Sequence, residues 1–575
     1  MTARLLDLST PFVLLDDARV AGAAPARLYR DPVEIVAASD RDALRACLAA
    51  VRGAARRGLH AAGWIAYEAG PLGEAAVDGA GEPLLWFGLF AGYEAVANAA
   101  GLLPDPAGAW AGAPAPGITE RDYLAAFDRV KAYIAAGDIY QANLTFRADC
   151  AVLGDPLALY ARIRGRAAAG WGGIVHDGAR TILSFSPELF FRLDGRRVEA
   201  RPMKGTAAPG DDPAALAADP KQRAENLMIV DLIRNDLSRV AEPGSVAVPA
   251  LYTIETYPTV QQMTSTVTAT LAEGRDAVSV LEAAFPCGSI TGAPKLRAIA
   301  IAAEVERGRR GLYTGSIGRI DADGDAAFNV AIRTLVIAGE PGKATIGLGS
   351  GIVADSQGPS EWRECLAKGA FIPAAMTPFD LIETMRFDPV EGIADLDAHL
   401  ARMKASAATF GFAFDRHDVR NELQAATFRL RVTSRLRLMV ARSGKVAIEA
   451  RPLPPAPVTP VTVPVVPLPV APGDFRLAHK TSDRGFYDKA RGPHFEVVFA
   501  RPDGLLTEGS FTSLFVGEDG PLRTPPLARG LLPGVLRARL IAEGRAIETD
   551  LRAADLAEGF WIGNAVRGLL RARLP

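Results

Sequence analysis

The segment Ile372-Pro-Ala-Ala-Met-Thr-Pro378 limits what this chain can fold into, because it reads as a joint between domains. At 575 residues the chain is too long for one core, and two to four domains are expected. The joint predicts one domain over residues 1–372, a linker at 373–378 and a second domain over 379–575. A breaker-rich loop holding Pro104, Pro106, Pro114 and Pro116 interrupts the first, whose pattern is clearest from about residue 119 onward.

Composition narrows the class of function. A formal net charge of −2, with 49% hydrophobic and 23% charged residues, has no polyelectrolyte character, so neither nucleic acid nor an anionic membrane is an implied partner. No apolar run reaches the roughly 20 residues of a membrane span. The short apolar stretch near the N-terminus is broken by Asp7 and Pro11, which argues against a signal peptide. Cys47, Cys150, Cys287 and Cys365 are scattered, without the paired spacing of a metal site or disulfide framework, and a reduced cytoplasm fits. None of the six histidines falls between His176 and His399, so acid–base chemistry in that stretch must use Lys, Glu, Asp or Tyr.

Up to about residue 115, strand-like runs alternate with Ala/Arg-rich helical ones. Beyond it the patterning predicts helices at 122–136, about 221–240 and 360–370, and strands at 182–193, 197–202, 315–321, 329–338 and 344–349. In the second of these helices Leu227, Val230, Ile233 and Leu237 recur at helical spacing. After the joint come a strand at 381–387, a helix at 397–410 and several β-rich runs. The apolar, proline-rich stretch 452–472 reads as edge strand or extended connector. No internal repeat is visible.

Two lysines stand in unusual settings: Lys204 in Arg-Pro-Met-Lys-Gly-Thr and Lys480 in His-Lys-Thr-Ser-Asp-Arg. An ordinary lysine is only about one-thousandth neutral near pH 7, so a nucleophilic one needs surroundings that keep it uncharged. One candidate in each half suggests two active sites acting in sequence. Near the first, Ser186-Pro-Glu188 sits at a strand entry, and Gly288-Ser-Ile-Thr-Gly-Ala-Pro-Lys295 is a small-residue loop feeding a helix, a geometry that offers backbone N–H groups to a carboxylate. Gly347-Leu-Gly-Ser-Gly-Ile352 is a second glycine-rich turn, and Glu361, Glu364 and Lys368 share one face of the closing helix. Singly, each has a plainer explanation: a helix-surface ion pair for Glu364 and Lys368, a first-turn acid for Glu225, a solvated lysine for Lys204.

Taken in order, these strings resemble the component I family of anthranilate synthase and aminodeoxychorismate synthase, together with Gly137-Asp-Ile-Tyr-Gln-Ala-Asn-Leu144, Glu225-Asn-Leu-Met-Ile-Val-Asp-Leu-Ile-Arg-Asn-Asp236, Tyr313-Thr-Gly-Ser-Ile-Gly318 and Gly349-Ser-Gly-Ile-Val-Ala-Asp355. The resemblance covers residues 1–372, with the catalytic part at about 119–372. It implies an α+β fold of two large β-sheets packed as a sandwich, helices outside and the active site between the sheets. It implies chorismate as substrate and Mg²⁺ as the ion that holds the ring carboxylate, with Glu225 and Glu364 as metal-side acids and Glu361 close by. By the same match Glu188 helps the leaving hydroxyl, Tyr313, Arg333 and Lys368 contact substrate carboxylates, and Gln141, Thr291, Gly292, Gly349 and Gly351 complete the substrate site.

Members that make aminodeoxychorismate carry lysine where this chain has Lys204, and anthranilate-forming members carry alanine. The lysine is taken to attack ring C2 and expel the 4-hydroxyl, after which ammonia displaces it at C4. Burial, or the nearby Arg201, is expected to depress the Lys204 pKa. Gln262 stands where the family often has histidine and cannot act as an acid or base. Gln141 fits the amine-forming members, since water-using relatives place lysine there.

In the second half Glu383-Thr-Met-Arg386, His399-Leu-Ala-Arg402, His479-Lys480-Thr-Ser-Asp-Arg484, Thr507-Glu-Gly-Ser510 and Thr524-Pro-Pro through Gly530-Leu-Leu-Pro-Gly-Val-Leu-Arg537 resemble the fold-type IV pyridoxal phosphate enzymes over about residues 377–575. That family includes branched-chain and D-amino acid aminotransferases and aminodeoxychorismate lyase. The resemblance implies a second α+β domain that binds pyridoxal 5′-phosphate and can form a homodimer. Lys480 matches the lysine that forms the internal aldimine and then shuttles protons, and Glu508 matches the acid paired with the pyridinium nitrogen. Arg402 matches the phosphate anchor, aided by the backbone at Val535 and Leu536 where a helix begins. Two departures stand out: the family's opening strand is trimmed before Glu383, and a threonine often found near Leu536 is missing.

Together the halves imply a fused enzyme of folate biosynthesis. The first makes 4-amino-4-deoxychorismate, and the second eliminates pyruvate to leave 4-aminobenzoate. No Gly-x-Cys-x-Gly nucleophile loop is present, Cys287 lying in the substrate loop, so ammonia is expected from a separate glutamine amidotransferase subunit. The alternatives are a C-terminal half that transaminates and a tryptophan-binding regulatory scaffold.

Overall fold

The computed structural model describes residues 5–70, 83–208, 210–257 and 260–575; the first four residues of the N-terminal stretch discussed above lie outside that set. The chain divides into two compact units, Met1–Pro106 with Ala113–Val152 and Pro156–Met376, and Ala107–Gly112 with Leu153–Asp155 and Thr377–Pro575. The change of unit at Met376 and Thr377 lies inside the proline-flanked segment.

In the first unit antiparallel strands build two sheets of ten strands each among the described residues. The strand Leu85–Phe90 shows why they stack: all six of its residues are buried, so both faces need cover. Trp86 and Phe90 pack against Val13, Tyr29, Val175 and Ile182 of the other sheet. Leu85, Phe87 and Leu89 point the opposite way, into a core shared with Leu44, Leu48 and Val51 of the Arg41–Arg56 helix and with Ile229, Val230 and Ile233 of the Pro220–Ser238 helix. Period-two alternation in one strand thus sets the order helix, sheet, sheet.

The Pro220–Ser238 helix starts where Asp219 accepts the Lys221 and Gln222 N–H groups and proline takes the first turn. Its buried face runs through Asn226, Ile229, Val230, Ile233 and Leu237. Leu227, read from the sequence as part of that stripe, is 48% exposed.

Two expected strands are each broken in the middle. The stretch 182–193 forms Arg180–Ser184 in one sheet and Leu189–Asp194 in the other, and 329–338 forms Ala326–Asn329 and Thr334–Ala338 in the same two sheets. Both breaks are crossings from sheet to sheet, and they run side by side. The Val330 N–H donates to the Glu188 carbonyl at 3.1 Å, the Phe185 N–H to the Arg333 carbonyl at 3.0 Å, and the Ser186 hydroxyl to the Val330 carbonyl at 2.6 Å. Apolar periodicity is blind to such a crossing, because the side chains stay buried on both sides of it.

In the second unit Leu381–Asp388, Ser434–Val440 and Val446–Pro452 pair antiparallel, and the Leu396–Phe410 helix packs on the first of them. The proline-rich stretch supplies two short edge strands, Val461–Thr462 and Val465–Pro467, which pair parallel with Gly568–Arg573 and Val498–Ala500. The backbone of Lys480 is tied to the opening strand, its carbonyl accepting the Ile382 N–H at 3.0 Å.

Candidate active sites

Lys204 lies in the edge strand Met203–Ala207, where the register against Val260–Thr270 slips between Met203 and Thr206. Such a bulge re-aims a side chain, and Gly205 absorbs it with φ +98°. The bulge is held from beneath. Asn226 Nδ2 donates to the Lys204 carbonyl at 3.3 Å, Gln262 Nε2 donates to the Gly205 carbonyl at 3.0 Å, and the Ser265 hydroxyl donates to Asn226 Oδ1 at 2.6 Å. The residue in the family's histidine position therefore serves this structure as a backbone clamp.

The lysine head meets the other sheet at a glycine. A Cβ on Gly351 would stand 3.0 Å from Lys204 Nζ, 3.1 Å from Gln141 Nε2 and 3.2 Å from Asn143 Oδ1, so these groups converge on one point. Burial is the largest influence on Lys204 and lowers its pKa, and the Lys368 charge lowers it further against the pull of Glu225, Glu188 and Glu364. Arg201, expected to contribute, instead pairs with Glu255 at 2.6 Å.

Glu188, at the first crossing, is 4% exposed, and its Oε1 has no hydrogen-bond partner. Burial pushes its pKa up to about 7, over the opposing effects of the Ser289 hydroxyl, the Lys204 charge and the Met203 N–H. The site thus holds an acid able to carry a proton near neutrality beside a lysine whose hold on its proton burial has weakened.

The remaining expected residues divide. Gln141 is buried and donates to Asn143 Oδ1 at 3.3 Å. Gly292 pairs with Ala142 so closely that a Cβ would fall 2.2 Å from the Gln141 carbonyl, which only glycine tolerates. Gly347 gives the same kind of room to the Tyr313 ring. Lys368 Nζ donates to the Gly349 carbonyl at 2.9 Å and pairs with Glu364 at 2.8 Å. Arg333 marks the second crossing, with φ 50°. In the Gly288–Lys295 loop the N–H groups of Ile290 and Thr291 are spent on Cys287 and Gly288 within the turn, and the Thr291 hydroxyl donates to the same two carbonyls at 3.2 Å.

The metal-side acids are not drawn into a cluster; among the described residues no three His, Cys, Asp or Glu side chains are grouped to hold an ion. Burial raises the pKa of Glu225, and the neighbouring Asp355 and Glu361 add to that rise against Lys204 and Lys221. Burial would also raise Glu364, but Lys368 and the other lysines bring it below its ordinary value. Mg²⁺ keeps several waters and takes only one or two protein carboxylates with substrate oxygens, a demand that Glu225, with Glu361 near enough to raise its pKa, can meet without a larger cluster.

Sequence reading missed Ser289, Asn143 and Arg310. Arg310 donates to the carbonyls of Ile290 at 3.0 Å and Asn143 at 2.9 Å, pairs with Glu306 at 2.7 Å and lies 4.4 Å over the Tyr67 ring, locking the substrate loop to the strand that carries Gln141. Its only signal was its place three residues before Tyr313.

In the second unit Lys480, Glu508, Arg402, Val535 and Leu536 all line one cavity of about 710 Å³. Burial lowers the Lys480 pKa to about 7, helped by the charges of Arg484 and Arg402. Burial raises Glu508 to about 7, and its Oε1 accepts from the Tyr487 hydroxyl at 2.7 Å. Arg402 is held rigidly: Nε and Nη2 donate to Glu383 at 2.8 and 2.7 Å, and Nη1 to the Pro533 carbonyl at 2.9 Å. Burial would raise Glu383, yet Arg402 and His399 hold its carboxyl down at about 2. Glu383, His399, Arg484 and Tyr487 were quoted in motifs or passed over, and none was given a role. An orphaned buried Arg484 Nη1, a pre-held arginine and a helix opening at Val535 after Gly534 fit a phosphorylated aromatic aldehyde.

Comparison with known proteins agrees with this geometry. The model of the chorismate binding enzymes matches residues 23–373, and the chain belongs to that family. The model of amino-transferase class IV matches residues 380–574, so two families are fused in one chain. Aminodeoxychorismate synthase component 1 of Salmonella typhimurium is 42% identical over 260 residues, 44% of this chain and 56% of the relative. Anthranilate synthase component 1 of Streptomyces coelicolor is 42% identical over 261 residues, 44% of this chain and 50% of the relative. The chain thus spans about half the length of these curated relatives. Anthranilate synthase component I from Streptococcus pneumoniae shares the fold, with a TM-score of 0.53 at 24% identity over 62% of this chain and 93% of that one. Among the described residues no helix is long and apolar enough to cross a membrane.

Proposed function

We propose that the chain makes 4-aminobenzoate for folate biosynthesis in two steps, amination of chorismate in the first unit and release of pyruvate in the second. The observation that carries the first step is the meeting of Lys204 Nζ, Gln141 and Asn143 over Gly351, with a protonatable Glu188 nearby. Neutral Lys204 forms a bond to ring C2 while the C4–O bond breaks, and Glu188 gives the departing hydroxyl its proton so that water leaves. Ammonia then bonds to C4 as the lysine–C2 bond breaks. The "component 1" names of the relatives support an ammonia supply from a separate glutamine amidotransferase. Glu225 and Glu364, with Glu361, would hold Mg²⁺, whose charge would offset the substrate's ring carboxylate.

For the second step the cavity residues would hold pyridoxal 5′-phosphate: Arg402 and the backbone at Val535 and Leu536 the phosphate, Glu508 the ring nitrogen, Lys480 the aldehyde. Bound there, the cofactor supplies an electron-withdrawing ring that acidifies the carbon bearing the substrate amine. Lys480 Nζ, whose pKa burial lowers to about 7, takes the proton from that carbon. Aromatisation drives loss of the three-carbon side chain as pyruvate. The buried free thiols of Cys47, Cys287 and Cys365 are in keeping with a reducing cytoplasm.

The test incubates purified protein with chorismate, ammonium, Mg²⁺ and pyridoxal phosphate. 4-Aminobenzoate and pyruvate are expected in equal amounts. Lys204→Ala should give neither, and Lys480→Ala should accumulate aminodeoxychorismate. Anthranilate as the sole product would refute the first step, and turnover of 2-oxo acids without pyruvate release would refute the second.

A further inference from the structure

Two short stretches far ahead of the joint belong to the second unit. Ala107–Gly112 and Leu153–Asp155 group with Thr377–Pro575, not with the sequence that surrounds them. They brace each other: Gly154, at φ +83°, lies where a Cβ would fall 2.2 Å from the Gly108 carbonyl oxygen. Gly108 lies where a Cβ would meet Asp474 Oδ2 at 3.1 Å, and Asp474 is a buried acid paired with Arg476 at 2.6 Å.

The first of these stretches, a strap, carries Trp110. Its side chain is buried and meets Phe410 edge-on, with ring centroids 4.9 Å apart and planes at 87°. Phe410 ends the Leu396–Phe410 helix that bears Arg402, and it is buried in an aromatic group, 4.9 Å from Phe379, 5.8 Å from Phe475 and 4.6 Å from His479. Of the rings that touch Phe410, those of Phe379, Phe412, Phe475 and His479 follow the joint, and that of Trp110 precedes it. His479 is fixed by this ring contact and by Ser406, whose Oγ lies 3.0 Å from Nδ1. The next residue is Lys480, whose carbonyl accepts the Ile382 N–H. Its backbone is thus pinned by the opening strand and, through His479, by Phe410.

Resting on the reading of Lys480 as the amine that meets the cofactor, we propose that Trp110 is a positioning residue of the second site, holding Phe410 and, through Phe410 and His479, the turn that aims Lys480. The second site is then completed by a side chain from ahead of the joint. Lys480 is faced by Arg484 from its own turn, Arg402 from the helix, Glu383 from the opening strand and Glu508 from Leu506–Gly509. A substitution at Trp110 alters none of these charges, so a moved titration reads the setting of Lys480 itself.

The test uses the full chain, and its first arm needs no cofactor. Lys480 of the cofactor-free protein is acetylated with trace acetic anhydride at a series of pH values and its labelling counted by peptide mass. The midpoint, about 7 in the parent, should rise by about half a pH unit or more in Trp110→Leu as water reaches the amine. Trp110→Phe keeps a ring against Phe410 and should restore the parent midpoint. Gly154→Ala drives a methyl into the Gly108 carbonyl, should act as Trp110→Leu does, and decides alone if that variant fails to fold. Leu556→Ala opens a cavity in a separate core cluster of the same unit and controls for destabilisation. In the second arm, pyridoxal phosphate binding followed by absorbance should weaken about tenfold in Trp110→Leu. A midpoint unmoved in both Trp110→Leu and Gly154→Ala would overturn the proposal, and so would an equal shift in Leu556→Ala. A parent that binds no pyridoxal phosphate, yet whose Lys480 midpoint moves on loss of Trp110, would count against the cofactor reading and support the positioning role.

Discussion

Glu188→Gln offers a direct measure of the first site. The carboxyl is 4% exposed, and burial moves its pKa from an ordinary 4.5 to about 7. The sign follows from proton counts. Between 4.5 and about 7 the folded chain keeps a proton that the unfolded chain has released, so stability falls as pH rises through that window and then levels off. The full loss corresponds to about 3 kcal/mol at about pH 8, from 1.36 kcal/mol per tenfold change in proton affinity. Glutamine is neutral, nearly isosteric and does not titrate, so the variant should match the parent near pH 4.5 and exceed it progressively above. Urea unfolding read by tryptophan fluorescence suits the test, since Trp64, Trp86, Trp171 and Trp362 lie in the first unit. A 3 kcal/mol difference should separate the two midpoints by about 1 M at pH 8. Because two units need not unfold together, the pH dependence of the difference is the observable. A parent–variant gap that stays constant from pH 5 to pH 8 would show that Glu188 is ionised throughout, and the proton donor would have to be sought elsewhere. The same variant should lose amination by about 100-fold or more, as for removal of a general acid.

Gly351→Ala places a methyl 3.0 Å from Lys204 Nζ and 3.1 Å from Gln141 Nε2, so the lysine must move. Aminodeoxychorismate formation should drop about tenfold or more with unchanged circular dichroism, in line with the cost of misplacing a reacting group by about 1 Å. Tyr487→Phe removes the 2.7 Å hydrogen bond that favours ionised Glu508, so the acid's pKa should climb further. Pyridoxal phosphate should then dissociate about tenfold more readily at neutral pH, measured by absorbance after dialysis, with recovery as pH rises.

Much of the site was legible because its chemistry is local in sequence. Lys204, Glu188, Lys480 and Glu508 announce themselves through neighbours within a few residues, and the helices that bear Glu225, Glu364 and Arg402 follow from spacing and caps. The crossings at Ser184–Leu189 and Asn329–Thr334 were hidden, since both sheets bury what passes between them. The partners that tune the lysines were hidden too. Arg201, near Lys204 in sequence, turned out to serve Glu255, while Lys368, 164 positions away, bears on the nucleophile.

Amino-acid order alone marked the joint at 373–378, the residue types available for proton transfer and one candidate nucleophile in each half, but not that Ala107–Gly112 and Leu153–Asp155 group with the second unit. Only the tertiary structure decided that burial weakens the hold of Lys204 and Lys480 on their protons and strengthens that of Glu188. A side chain's affinity for a proton depends on the water it has lost and the charges brought beside it, and both are properties of packing between segments far apart along the chain.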